Sequence, residues 1–347
     1  MTEPTNASMA DVAERAGVST STVSRALRGS PVVSPETTAR VREAAAELSF
    51  AISRTASSLA TGRLGRVAVL VGGSLGSWFN GAILDAIYAT LHDADHELLI
   101  FRIRSRSERD EFFATLPARR HADAMIVASF ALTATERARL QDLSMPVVFL
   151  NQRVRGTASV AIDDAGGVRV GVRQLRNLGH RRIAFARAEN RIGFDYSAAE
   201  RVDGYRAEQS AVGVPASEQL IITTPRVDDG DTVVSALLAA PEPPTALVVD
   251  SDELAMSVLA AMGRVGLRTP EDLSVLGFDD HTMAATFGLS TIAQPAGLLG
   301  RQAASMALTL AAREQLPRKT ILVPTRLVLR RTTGRPTSTR SGQQRSR

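Results

Sequence analysis

From Arg66 onward the chain alternates short apolar runs with amphipathic stretches, and this limits its fold more than any other feature. RVAVLV is followed by WFNGAILDAIYATLHDA and HELLIF by RDEFFATLPA; DAMIVAS, PVVFLN, RRIAFA, LIITT, TALVVD and LSVLGFDD continue the pattern. Continuous Val/Ile/Leu runs separated by helices predict parallel strands with helices on both faces. About seven strand–helix units are too many for one small sheet, so two Rossmann-like subdomains fit better. Residues 9–49 differ, reading as short helices with no strand between them. Residues 50–65, FAISRTASSLATGRLG, are small and polar, as a linker is. The expected fold is therefore an all-α N-terminal module joined to an α/β core.

Composition narrows the chemistry. With 347 residues, 44% of them hydrophobic, there is ample material for a core. The absence of cysteine removes disulfides, thiol catalysis and every Cys-based metal site. Of the five histidines only His92 and His96 share metal-ligand spacing, and they lack an HExxH core, so no metal is expected. No apolar run reaches the length of a membrane span and MTEPTNASMADVAERAG is not signal-like, so a soluble, cytoplasmic protein is expected. The net charge of +5 is unevenly placed: residues 1–66 carry eight arginines against six acids, and residues 330–347 carry six arginines and no acid. Most of the basicity thus lies in the tail, and charge alone does not decide a nucleic-acid partner. Lys319, the single lysine, reads as codon bias.

MADVAERAGVSTSTVSRALRG carries a sharper signal. Met9, Val12, Ala13 and Ala16 make one apolar stripe, Gly17 interrupts it, Ser19 can cap a second helix, and Val23 and Leu27 supply that helix's buried face. Ala13, Gly17 and Val23 have helix-turn-helix spacing, with a small residue at the crossing and a glycine free to take positive φ in the turn. Ser34-Pro35-Glu36 opens a third helix running through Val41, Ala45 and Leu48. The second helix exposes Thr20, Ser21, Thr22, Ser24 and Arg25. Short hydroxyls suit phosphates and Arg25 suits a bidentate contact to guanine, although a generic three-helix module with a solvated face has the same spacing.

DVAERAGVSTSTVSRALRGSPVVSPETTARVREAAAEL closely resembles the headpiece of the lactose-repressor/galactose-repressor (LacI/GalR) family of transcription factors. The likeness continues through NLGHRRIAF, AAERVDGY, SDELAMSVLAAMGRVGLRTPEDLSVLGFDD, STIAQP and PTRLVLRRTTG. The resemblance implies a headpiece at 9–49, a hinge at 50–65, an effector-binding and dimerisation core at 66–332 and a disordered Arg-rich tail at 333–347. It implies that Thr20, Ser21 and Arg25 face base edges while Ser19, Thr22 and Ser24 touch phosphates. In the hinge, Ala56 and Leu59 hold the matching positions, and two Leu59 side chains from a dimer would wedge into the central minor-groove step. The chain departs from the family at Ser49-Phe50-Ala51-Ile52, where Gly-Tyr-x-Pro is usual; without proline at 52 the hinge entrance is freer.

The rival class is an enzyme or a stand-alone solute-binding or sugar-processing α/β protein. GGSLGS after the first core run looks like a nucleotide fingerprint, yet Val71 occupies the place of the first required glycine. Asp163-Asp164 and Asp279-Asp280 are adjacent pairs, which point to different sides. No P-loop, nucleophile elbow or Ser/His/Asp set is visible, and His180 reads as a residue between helix and strand. Neither catalysis nor a cofactor is expected. The resemblance implies a type I periplasmic-binding-protein core with a small effector in the cleft between its subdomains. Its effector positions match Trp78, Phe79, Asn151, Ser197, Arg201, Ser251 and Asp279, a set able to grip a polyol. Plainer readings pair Arg201 with Glu200 or Asp203, make Asp279 a loop cap, and put Trp78 and Phe79 in the core. Ser251 stands where the family commonly has Asn, so no effector is inherited from a relative. The implied partners are a pseudo-palindromic DNA operator, a small effector and a second copy of the chain. The tail has no leucine heptad for a tetramer.

Overall fold

The computed structural model describes residues 7–27, 30–48, 50, 63–129, 131–143, 145–189 and 196–337. The chain divides into two units, Met1–Gly65 and Arg66–Arg347. The first contains α1 (Met9–Ala16), α2 (Thr20–Leu27) and α3 (Pro35–Glu47). Ser8 caps α1 in a reciprocal box with Asp11, and Ser34 caps α3 with Pro35 in its first turn. Gly17 ends α1 at φ +66°, where a side chain would be strained. Val12, Val23 and Val41 are fully buried, with Ala13, Ala16, Ala26, Ala44 and Ala45 packed between them. One branched residue per helix and small neighbours let three short helices close on a single core.

Among its described residues the second unit holds twelve strands. They are β1 (Arg66–Gly72), β2 (Glu97–Ile103), β3 (Ala124–Ala128), β4 (Val147–Leu150), β5 (Ala158–Ile162) and β6 (Ile183–Ala188). Then come β7 (Ile221–Thr224), β8 (Ala246–Val249), β9 (Ser274–Asp279), β10 (Ser290–Ala293), β11 (Thr320–Val323) and β12 (Arg326–Val328). They form two six-stranded sheets, β11-β5-β4-β3-β1-β2 and β12-β10-β9-β8-β6-β7. Helices α4 (Trp78–Asp93) and α11 (Ala296–Ala311) pack together and share one apolar cluster with the first sheet; α5 (Arg106–Thr115) and α6 (Ala134–Gln141) supply side chains to another. On the second sheet α7 (Asp164–Asn177) and α8 (Tyr196–Ser210) pair, as do α9 (Gly230–Ala239) and α10 (Asp252–Arg264). The central strands are buried on both sides: Val67 to Val71 have no exposed surface. That is why they read as unbroken apolar runs.

Two details differ from the sequence expectation. β12 runs antiparallel to β10, with Ile292 opposite Leu327. Only Pro324 and Thr325 separate it from β11, which belongs to the other sheet. The fold also continues past 332, where a disordered tail was expected. Buried Thr332 donates to the Val275 carbonyl and accepts from Ser290 N–H, both at 2.8 Å. The Gly334 carbonyl accepts from His180 Nε2 (2.9 Å), and the Thr337 hydroxyl donates to the Glu271 carbonyl (2.8 Å). His180 is accordingly a buried structural residue; its Nδ1 meets the Thr245 hydroxyl, and burial holds its pKa below the ordinary imidazole value against the pull of the Gly334 carbonyl. Among the described residues no helix is long and apolar enough to cross a membrane.

Candidate functional site

In the first unit, Val23 and Ala26 turn inward, which leaves Ser19, Thr20, Ser21 and Arg25 exposed and Thr22 and Ser24 half-buried. Ser19 Oγ accepts from Thr22 N–H (3.2 Å) and lies 2.8 and 2.9 Å from the Ser21 and Thr22 hydroxyls. The start of α2 is therefore rich in short hydroxyls at a helix N-terminus, a surface suited to phosphate oxygens. Arg25 projects from the last turn of the same helix. Ala56 and Leu59 lie outside the described residues.

In the second unit a cavity of about 780 Å³ opens at the carboxyl ends of strands from both sheets. Ser129 follows β3 and Asn151 follows β4; Asp250 follows β8, Asp279 ends β9 and Gln294 follows β10. Such strand ends are where open α/β sheets bind ligands. Ser129, Asn151 and Asp279 hold positive φ values of 55°, 57° and 123°. Non-glycine residues kept there cost about 1–3 kcal/mol each and gather at functional sites.

Arg201 is the hub of the cavity wall. Its Nε donates to Asp164 (2.8 Å), its Nη1 donates to the Asp250 carbonyl and lies 3.7 Å from Asp279, and its guanidinium stacks 3.6 Å over the Phe278 ring. Burial opposes the charge on Arg201, yet Asp164 and Asp279 outweigh it and raise its pKa. Arg201 therefore pairs across the fold and not with its helix neighbours Glu200 and Asp203. The geometry follows from Gly204 one turn on: a β-carbon there would sit 2.4 Å from the Ala165 carbonyl, so only glycine lets α8 approach α7 this closely. Burial raises the Asp279 carboxyl well above the usual carboxylate range despite Arg201, and lifts Asp250 to about 6. The Asp279 carboxyl accepts from the Gln294 amide and makes no loop cap. The adjacent acids diverge: Asp163 caps α7 and Asp280 pairs with Arg330 (2.7 Å), while Asp164 and Asp279 converge on Arg201.

Asn151 Nδ2 donates to the Ser197 hydroxyl (2.9 Å), joining the loop after β4 to the first turn of α8. Among the described residues, three buried side-chain atoms of the cavity wall have no hydrogen-bond partner: Asn151 Oδ1, Asp250 Oδ1 and Gln294 Oε1. Native proteins seldom leave buried acceptors unmatched, so this wall is built to meet donors. Phe79, Asn151, Ser197, Arg201, Ser251 and Asp279 line the cavity. Trp78 is not among its lining residues; the indole lies 5.8 Å from the His281 ring and its backbone N–H donates to Glu253 (3.3 Å). A second cavity of about 680 Å³, at the opposite ends of β4 and β5, is walled mainly by apolar groups such as Leu140, Phe149 and Leu316. It lacks the convergent buried polar groups of the first, which is the better ligand site.

Residues 8–53 match the family described as bacterial regulatory proteins, lacI family, and residues 172–333 match a periplasmic binding protein-like domain. The HTH-type transcriptional regulator GalS of Salmonella typhimurium is 32% identical over 303 residues, spanning 86% of this chain and 88% of that one. The HTH-type transcriptional repressor PurR of Edwardsiella ictaluri is 30% identical over 334 residues, spanning 94% and 96%. The chain belongs to the LacI family. Its fold agrees with that of the lac repressor dimer bound to operator and the anti-inducer ONPF, at a TM-score of 0.83 and 26% identity over 95% of this chain and 100% of that one. The complex of the regulator CelR with cellobiose gives 0.68 and 27%, covering 94% and 99%. This LacI-family regulator thus combines a helix-turn-helix unit with a core of the type I periplasmic-binding-protein kind. Sequence reasoning missed Asp164, Asp250 and Gln294. Asp250 and Gln294 each directly follow an apolar run, the strand-end position where a ligand contact is expected.

Proposed function

We propose that this LacI-family chain is a cytoplasmic repressor that binds a pseudo-palindromic operator as a homodimer and changes its grip on DNA when a sugar or sugar derivative enters the cleft. It has no catalytic step. Thr20, Ser21 and Arg25 read base edges in the major groove, while Ser19, Thr22 and Ser24 hold phosphates. Ala56 and Leu59 act in the minor groove at the operator centre. Phe79, Asn151, Ser197, Arg201, Ser251 and Asp279 hold the effector, with Trp78 supporting the cleft from behind its wall. The observation that carries the reading is the cavity itself: strand ends of two sheets converge on one space and leave three buried acceptors unmatched. The dimer and the operator follow from the family and from the lac repressor likeness, since two-fold protein symmetry calls for a two-fold site.

The test begins with selection of random duplex DNA by the full-length protein at physiological salt. A pseudo-palindrome with a central CG step is expected; no enrichment, with or without a pool of sugars, would refute operator reading. Asp279→Ala should then keep operator affinity within about threefold, below the roughly 1 kcal/mol at which a contact matters, and abolish the response to effector. A surviving response removes Asp279 from the pocket.

A further inference from the structure

We infer that the effector carries a protonated amine: a polyhydroxylated amine such as an amino sugar, seated between Asp250, Asp279 and Gln294, and not a phosphorylated or carboxylated sugar. The inference rests on the effector reading above and narrows its chemistry.

The first argument is charge. Among the described residues, the cationic side chains lining the cavity are Arg104 and Arg201, and both are already engaged. Arg104 is held by Glu108 through Nε (3.0 Å) and Nη2 (2.6 Å), while Arg201 answers Asp164 and Asp279. Against them the cavity presents Glu189, Asp250, Glu253 and Asp279. Counted whole, among the described residues Arg201 and Arg187, which acts on Asp250, stand against three buried carboxyls, those of Asp164, Asp250 and Asp279. A phosphate or carboxylate entering this space would add like charge in a poorly solvated site, whereas an ammonium removes it.

The second argument is hydrogen bonding and does not depend on the first. Of the unmatched buried atoms among the described residues, the three on cavity-lining side chains, those of Asn151, Asp250 and Gln294, are all acceptors. The Gln294 amide gives its NH2 to the Asp279 carboxyl, which leaves its Oε1 unmatched. Asp250 uses Oδ2 to accept from Ala188 N–H (3.2 Å), which leaves Oδ1 without a donor. An ammonium offers three donors and no acceptor; a phosphate offers chiefly acceptors.

The third argument places the seat. In the second sheet β9 lies between β10 and β8, so Gln294, Asp279 and Asp250 stand on three successive strand ends. Neighbouring strands are about 4.8 Å apart, so the three side chains start within about 10 Å of one another on one rim of the cavity. Burial that raises the Asp250 and Asp279 carboxyls is relieved when a cation arrives beside them.

The experiment titrates the full-length protein with matched series: glucosamine, glucose and glucuronate, then the galactose and mannose equivalents, at equal ionic strength. Trp78 fluorescence and melting temperature report binding. In at least one series the amine should bind about tenfold tighter than its neutral parent and about a hundredfold tighter than the uronate. Asp250→Asn should cut the amine's advantage over the neutral parent to under about threefold, and the ordering in the unmodified protein stands as a test should that variant fail to fold. A neutral sugar or uronate binding as tightly as the amine overturns the amine seat and leaves the effector cavity in place. No response in any series overturns both the seat and the sugar-class reading on which it rests.

Discussion

Replacing Arg201 with methionine keeps much of the side-chain volume and removes the cation at the centre of the cleft wall. The structure sets the size of the effect. Asp164 is 1% exposed, and Arg201 Nε at 2.8 Å is the cation that restrains the rise burial imposes on its pKa. Without it the carboxyl must be either buried as an unpaired charge or protonated. Protonating a carboxyl whose unfolded pKa is near 3.9 costs about 1.4 kcal/mol per pH unit above that value, so about 4 kcal/mol at pH 7 and about 1.5 kcal/mol at pH 5. These are upper bounds, since burial already raises Asp164 in the unmodified protein. Breaking a buried pair by removing one partner costs about 3–5 kcal/mol, in agreement. The sign is fixed: in the variant the folded state keeps a proton that the unfolded chain gives up, so the loss grows as pH rises from 5 to 7. Adding Asp164→Asn removes the orphaned charge and should recover about 2 kcal/mol or more at pH 7. Trp78 is the single tryptophan and belongs to the second unit, so urea unfolding followed by its fluorescence reports that unit alone. A loss under about 1 kcal/mol at pH 7, or no rescue by the second substitution, would refute the claim that this pair organises the cleft.

Arg25→Ala should lower operator affinity about 5- to 150-fold, the value of one bidentate base contact, while non-specific affinity falls little; equal losses on operator and scrambled duplex would remove Arg25 from base reading. Leu59→Ala should weaken operator binding and reduce DNA bending in a gel phasing assay, with non-specific binding preserved. His180→Gln should destabilise the core at pH 7.5, with the gap to the unmodified protein narrowing as pH falls to 5. The folded ring resists a proton that the unfolded chain accepts near pH 6.5, so its contribution is full above that pH and lost below it. Urea midpoints across that range decide the matter, and a gap independent of pH assigns His180 a packing role only.

What was legible in the sequence follows from where each residue spends its surface. Strands β1, β3 and β8 bury both faces and are plain as apolar runs. β11 reads TILV with alternating exposure at a sheet edge, and β12 reads RLV, so neither stands out until the sheets are assembled. The headpiece was readable because its three helices meet through small and branched residues at fixed spacing. The cleft was readable only in part. Asp164 and Asp279 look like halves of two unremarkable acidic pairs, and nothing local says that each sends a carboxyl to Arg201, 37 residues along in one case. Trp78 is a different case: at a position the resemblance assigns to the effector, its indole lies 5.8 Å from the His281 ring.

Control of DNA binding requires that the effector distinguish two states of the core, and the cleft is arranged so that it can. A ligand held by one subdomain has the same affinity whether the subdomains are together or apart, and it shifts nothing however tightly it binds. Here Ser129 and Asn151 come from the first sheet, while Ser197, Asp250, Asp279 and Gln294 come from elements of the second. A polyol bonded to both sets gains affinity only when they face each other across one space. A change of a hundredfold in operator affinity requires about 2.7 kcal/mol of that difference, roughly two good hydrogen bonds to charged groups. The bond from Asn151 to Ser197 joins the two sides directly, so an effector bonded to both must add to this contact or displace it. Asn151→Ala therefore separates the two cases: a ligand that adds to the contact loses its effect on the operator, and a ligand that displaces it leaves a variant locked in the liganded response without any ligand present.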